Sequence, residues 1–219
     1  MDGLAETPPS CSPPMMTTMT PVPPPVPPQY SQAFTLSDSS AGLLHYDWTH
    51  HRQRIWHWNN TRSRKNQCFF WFNTTGPCVE YFTPHDEQYV YFPEDGSCCL
   101  ESCADHCPPS MNVSDGTCCR EAAVGLPRPD SASFCSYNST VDWEGERVYW
   151  FHCPACLNYY FDMGMRARLF WADDWEYAVR FDLASERIAP QPASLFTLPN
   201  TCQPSVKCKG FTSSPKLVC

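Results

Sequence analysis

The sequence predicts a mostly β domain, an antiparallel sheet that curves around a lined interior. Three observations carry this. Prolines (23) far outnumber glycines (9), and no window resembles a long Ala/Leu/Glu/Lys helix. Short runs rich in β-branched and aromatic residues follow one another, each bounded by Asn, Asp, Gly or Pro, as in an antiparallel meander. Hydrophobic residues make up 42% and aromatics 14% of 219 residues, enough to bury one core.

Residues 1–33 form a Pro/Thr/Ser tract ending in PVPPPVPPQY, whose prolines withhold backbone donors and favour extended polyproline conformations. A disordered tail is the reading preferred over an SH3 or WW ligand. The folded domain is expected from Phe34 to Cys202, with residues 203–219 as a cysteine-containing tail. Its strands are read at LLHYDW (43–48), RIWHW (54–58), CFFWFN (68–73), VEYF (79–82), QYVYF (88–92), RVYWFHC (147–153), NYYFDM (158–163), RARLFWA (166–172) and EYAVRF (176–181). One further short strand is expected in the last stretch, SLFTLPNTCQPSVKCKGFTSSPKLVC (194–219). Residues 98–119, with six cysteines and few apolar residues, read as a disulfide-stapled loop inserted between the two strand groups. Alternation is clearest where Arg52, Arg54, Trp56 and Trp58 share one parity and Gln53, Ile55 and His57 the other. Neither set is cleanly polar, which suits a curved sheet better than a flat sandwich.

A formal net charge of -8 argues against a phosphate-binding surface, so nucleic acid is not an expected partner. No apolar run approaches the ~20 residues of a spanning helix. Fifteen cysteines point to an oxidising compartment. Sequons at Asn59, Asn73, Asn112 and Asn138 agree with a glycosylated chain in the extracellular space or a lysosomal or vacuolar lumen. The first residues lack the basic and apolar regions of a signal peptide, and we expect the leader upstream of Met1.

Taken in order, Tyr46-Asp47, Arg52-x-Arg54, Cys98-Cys99-Leu100, a Trp-bearing segment, Cys156-Leu157 and Phe196-x-Leu-Pro-x-x-Cys202 form a pattern that resembles the ependymin-related family. The resemblance runs through roughly residues 34–202. It implies a fold similar to bacterial lipoprotein carriers of the LolA type, a strongly curved antiparallel sheet forming a half-open barrel. It also implies a secreted or lysosomal glycoprotein, often a homodimer, with calcium binding and a hydrophobic or lipid ligand: a binding protein and not an enzyme. By motif, Cys99, Cys156 and Cys202 match the family's disulfide positions, with connectivity open. The chain departs from the family in its many extra cysteines and in the tail beyond Cys202.

Among candidate sites, Asp47 with Arg52 and Arg54 reads as a structural ion pair across neighbouring strands. Two arginines would hold a carboxylate ionised, the wrong direction for a general acid. His152, Cys153 and Cys156 form a Cys-x-x-Cys beside a histidine, open to redox or zinc chemistry. Strand-like flanks deny it the helix dipole of redox motifs, so structural disulfides are preferred. His106 with Cys103 and Cys107 has zinc-like spacing, but the adjacent vicinal cysteines favour disulfides, and no resident metal is assigned. Asp142, Glu144 and Glu146, and Asp173, Asp174 and Glu176, lack the spacing of a calcium loop and read as solvated turn charges. Phe70, Phe72, Tyr89, Tyr91, Trp150, Tyr160, Phe170 and Phe181 are the candidate lining of a ligand cavity, with filled core as the competing reading. Two further readings stand beside the carrier: a structural or adhesive extracellular module, and an intracellular zinc-binding protein.

Overall fold

In the computed structural model, the described residues are 20–37, 39–58, 68, 76–85, 87–101, 129–153, 157–172 and 177–208. They form one antiparallel sheet of eleven strands. The strands are β1 (Gln29–Leu36), β2 (Ala41–Asp47), β3 (Arg52–His57), β4 (Cys78–Phe82), β5 (Gln88–Phe92), β6 (Ser97–Glu101), β7 (Ser136–Trp143), β8 (Glu146–Cys153), β9 (Leu157–Asp162), β10 (Ala167–Ala172) and β11 (Tyr177–Phe181). Their spatial order is β6-β5-β4-β3-β2-β1-β11-β10-β9-β8-β7. Two meanders, β1–β6 and β7–β11, therefore meet at a seam between β1 and β11, where Phe34 faces Phe181 and Leu36 faces Val179.

Among the described residues the edge strands β6 and β7 do not pair, so the sheet does not close. It is nevertheless strongly coiled. Arg180 on β11 reaches Glu144, at the tip of the β7–β8 hairpin, at 2.6 Å and lies 4.9 Å over the Trp143 ring. In a flat sheet, three to four strand spacings would hold that hairpin about 15–19 Å away. The hairpin itself follows from Glu144-Gly145, both at positive φ (52° and 81°), as a tight turn matched to strand twist requires.

Period-two alternation gives the sheet an inner and an outer face. Tyr30, Phe34 and Leu36 of β1, Leu44 and Tyr46 of β2, Ile55 of β3, Phe82 of β4, and Val179 and Phe181 of β11 form the largest buried cluster on the inner face. Phe151 and Phe161 continue that face through β8 and β9. Gly42 lies opposite both Phe34 and His57, and the Phe34 ring covers its α-carbon. A β-carbon there would meet that ring and stand 2.7 Å from the Trp56 carbonyl oxygen. Gly42→Ala is expected to lose about 1–3 kcal/mol through overpacking, read from the urea midpoint of the oxidised protein.

Beyond β11 the chain returns as a strap that crosses the outer face and ends at Cys208, which packs with Cys78, Val90 and Cys99 on the inner one. Ser31 and Arg187 exchange backbone hydrogen bonds, and Leu100 on β6 forms a parallel bridge with Lys207. Leu198 and Cys202 pack over Val79, Tyr81, Tyr89, Cys98 and Leu100.

Several boundaries differ from expectation. The first strand begins at Gln29, inside the proline-rich tract, because Tyr30 and Gln32 already alternate into the core. Residues 97–101 are a strand and not part of a loop. Cys98 and Leu100 are buried under the strap, and the rest of the cysteine-rich segment lies outside the described residues. β7 is an additional, largely polar edge strand. Ala193–Phe196 is a turn of 3-10 helix where a strand was expected, and residues 203–208 belong to the strap. CFFWFN lies outside the described residues except for Cys68, which is buried and bonded to Cys78.

Candidate functional site

The most distinctive surface is the inner face, where aromatic rings touch from strand to strand. Tyr30 and Tyr46 lie 5.2 Å apart between centroids, Phe151 meets Phe161 edge-on at 5.5 Å, and Tyr137 meets Phe151 at 5.8 Å. Burial pushes the phenols of Tyr30, Tyr46 and Tyr159 far above the ordinary tyrosine value, with neighbouring Tyr46 adding to the effect on Tyr30. All three are neutral at physiological pH, and the wall they make is apolar with hydroxyl tips.

Set into this wall is a small polar centre. His57 and Glu80 sit on adjacent strands with 1% and 4% exposure, and His57 Nε2 lies 2.9 Å from Glu80 Oε1. The second carboxylate oxygen accepts from Gln88 Nε2 at 2.8 Å. Among the described residues, the other ring nitrogen, His57 Nδ1, has no hydrogen-bond partner, and neither does Gln53 Nε2 further along β3. A buried polar group left unpaired costs about 1–3 kcal/mol, so two on one strand face call for a reason. The centre was legible in part: Gln53, Ile55 and His57 share one parity, and Glu80 interrupts an apolar strand. Register across the sheet was needed to bring His57 and Glu80 together.

The eight predicted cavity residues do not line one cavity. Phe181 belongs to the inner face, and the backbone of Phe170 pairs in register with Tyr159 and Val179. Tyr89 and Tyr91 fall on the outer face beneath the strap, as their cluster with Leu198 and Cys202 shows. Trp150 and Tyr160 are also on the outer face, stacked at 6.0 Å, with the Trp150 ring nitrogen donating to Asn158 Oδ1 at 2.8 Å. Strand runs identify parity within a strand, while only cross-strand register decides which parities share a face. Phe70 and Phe72 lie outside the described residues.

Asp47 and Arg52 stand directly opposite on β2 and β3. The carboxylate, with its side chain fully buried, accepts from Arg52 at 2.7 and 2.8 Å, from Gln29 at 2.7 Å and from His50. Burial alone would raise its pKa. Hydrogen bonds from Gln29, Arg52 and His50, with the Arg52 charge, outweigh burial and hold the carboxyl below its ordinary value. The Arg52 guanidinium also lies 4.4 Å over Phe196, tying the β2–β3 turn to the strap. Arg54 does not join the pair. Two residues further along β3, its guanidinium lies between the Trp56 and Tyr81 rings, at 5.6 and 5.8 Å from their centroids. The strap is also held by His45, whose Nδ1 lies 3.1 Å from Gln191 Oε1.

No family model and no curated protein matches the chain. Among solved structures it is similar to an uncharacterized conserved protein from Thermus thermophilus, at 8% identity and a TM-score of 0.46, over 81% of this chain and 90% of that one.

Among the described residues, eight cysteines form four disulfides: Cys68–Cys78, Cys98–Cys202, Cys99–Cys208 and Cys135–Cys153. Such pairing fits a chain folded in an oxidising compartment. Cys99 and Cys202, both expected in disulfides, thus bond to Cys208 and Cys98 and not to each other. Cys153 bonds across to Cys135, while Cys156, Cys103, His106 and Cys107 lie outside the described residues. Among the described residues no three His, Cys, Asp or Glu side chains converge as a metal site, and no helix is long and apolar enough to cross a membrane. Glu144 is paired with Arg180, and Asp142 lies opposite Arg147. Asp173, Asp174 and Glu176 are outside the described residues, as are Asn59, Asn73 and Asn112. Asn138 is exposed, at the register shift of edge strand β7.

Proposed function

We propose that this chain is a secreted or lumenal binding protein of ependymin-related type that holds a hydrophobic, lipid-like molecule against the aromatic inner face of its open sheet, without catalysis. The observation that carries the reading is the continuity of that face: aromatic side chains from β1, β2, β4, β8, β9 and β11 lie on one side of a sheet that, among the described residues, does not close. Burial of an acyl chain there contributes about 0.8 kcal/mol per methylene before ordering costs. The four disulfides support the compartment. A second reading, a structural module with a filled core, is favoured by the near-complete burial of Phe34 (6%) and Tyr46 (2%) within the chain itself.

The two readings separate on native mass spectrometry of the oxidised chain secreted from a eukaryotic host and enzymatically deglycosylated. The carrier reading expects a lipid-sized adduct released by organic solvent, and Nile red binding by the stripped protein. A bare mass with no Nile red binding would leave the filled-core module.

A further inference from the structure

We propose that the inner face carries a polar subsite centred on His57, and that the ligand it takes is an apolar molecule bearing an uncharged oxygen, a long-chain alcohol or an ester, and not a free fatty acid. This rests on the carrier reading and specifies the chemistry of the same face. His57 is nearly fully buried and has one ring nitrogen occupied by Glu80, with the other unpartnered among the described residues. Gln88 fixes the far oxygen of Glu80, so the carboxylate is committed to its two present partners in their present geometry. Phe34 meets the imidazole edge-on at 5.6 Å, and Gly42 and Cys78 lie opposite on the flanking strands. None of these supplies a partner for Nδ1.

The charge balance selects the ligand. If Nε2 carries the only ring proton, Nδ1 presents a lone pair and calls for a donor. If the ring is doubly protonated, Nδ1 donates and calls for an acceptor. A hydroxyl answers both states, and an ester carbonyl answers the second. A free carboxylate would bring a second carboxyl group beside Glu80 and carry an anion into a setting where buried unpaired charge is strongly disfavoured. Gln53 Nε2 is the second unpartnered nitrogen. It lies four residues from His57 on the same strand and face, roughly 13 Å along β3. As a pure donor it fits an ester or ether oxygen further down the same molecule.

The test is displacement of Nile red from the oxidised wild-type chain by 1-hexadecanol, hexadecane and hexadecanoate, repeated with His57→Phe. The wild type is expected to bind 1-hexadecanol about tenfold more tightly than hexadecane, which corresponds to ~1.4 kcal/mol, and to discriminate against hexadecanoate. His57→Phe should erase the preference for the alcohol, bringing the ratio of alcohol to hexadecane affinity to about one. Equal affinity of the wild type for alcohol and alkane, tighter binding of hexadecanoate, or a preference that survives His57→Phe would each overturn the subsite while leaving the carrier reading intact. Failure of the wild type to bind Nile red defeats both. Should His57→Phe not fold, the ¹⁵N resonance of Nδ1 in histidine-labelled wild type decides. It should move on adding 1-hexadecanol and not on adding hexadecane, and a signal indifferent to both refutes the subsite.

Discussion

Replacing Cys98, Cys99, Cys202 and Cys208 together with serine is expected to cost roughly 5–7 kcal/mol, a large part of the 5–15 kcal/mol typical of a domain. Replacing only Cys99 and Cys208 should cost about 2 kcal/mol. The asymmetry follows from nesting. Cys98–Cys202 and Cys99–Cys208 span 104 and 109 residues, so whichever forms first closes a long loop and removes the larger share of unfolded-state entropy. With one bond in place, the second closes only the one residue from 98 to 99 and the six from 202 to 208. Urea unfolding without reductant checks this: two similar, additive losses would show that the bonds act independently.

Asp47→Ala is expected to destabilise the chain by about 3–5 kcal/mol at pH 7, as removal of one member of a buried pair does. The alanine strands Arg52, whose side chain is 17% exposed, and frees Gln29 and His50 of their shared acceptor. The pH dependence has a definite sign. Because the folded-state pKa of Asp47 is depressed, its stabilisation is complete above the unfolded carboxyl pKa near ~3.9 and is lost as pH falls towards the folded value. Wild type minus variant, measured by urea unfolding at pH 7 and pH 3, should therefore shrink at the lower pH. A difference that is constant or grows on acidification would show that Asp47 does not act through its charge.

Much of the sheet was readable because its strands announce themselves chemically. QYVYF coincides with β5 residue for residue, and VEYF, RVYWFHC and EYAVRF fall within a residue of β4, β8 and β11. The strands that escaped notice each lack that signature. β1 follows a run of prolines, β6 consists of cysteine, acidic and polar residues apart from Leu100, and β7 is an edge strand with exposed polar positions. Vicinal Cys98 and Cys99 look like loop chemistry, yet alternation sends them to opposite faces, where one terminal segment bonds both. The candidate site was harder to read. Parity within RIWHW placed Gln53 and His57 together, but the partner of His57 lies 23 residues away on the next strand. The same limit scattered the predicted cavity residues, since Tyr91 and Phe181 obey the same local pattern and end on opposite faces.

The seam between β1 and β11 has a kinetic consequence. Each meander is assembled from neighbours in sequence, whereas joining Phe34 to Phe181 means closing most of the chain at once, in the slow regime of high contact order. Cys68–Cys78 and Cys135–Cys153 lie within single halves and form without the seam. The strap that bonds Cys98 and Cys99 follows β11 in the chain, and β11 is held against β1. During oxidation, then, a species holding the two short-range disulfides should accumulate first, and the two long-range ones should appear together as the last covalent step, locking the halves in the order in which they met.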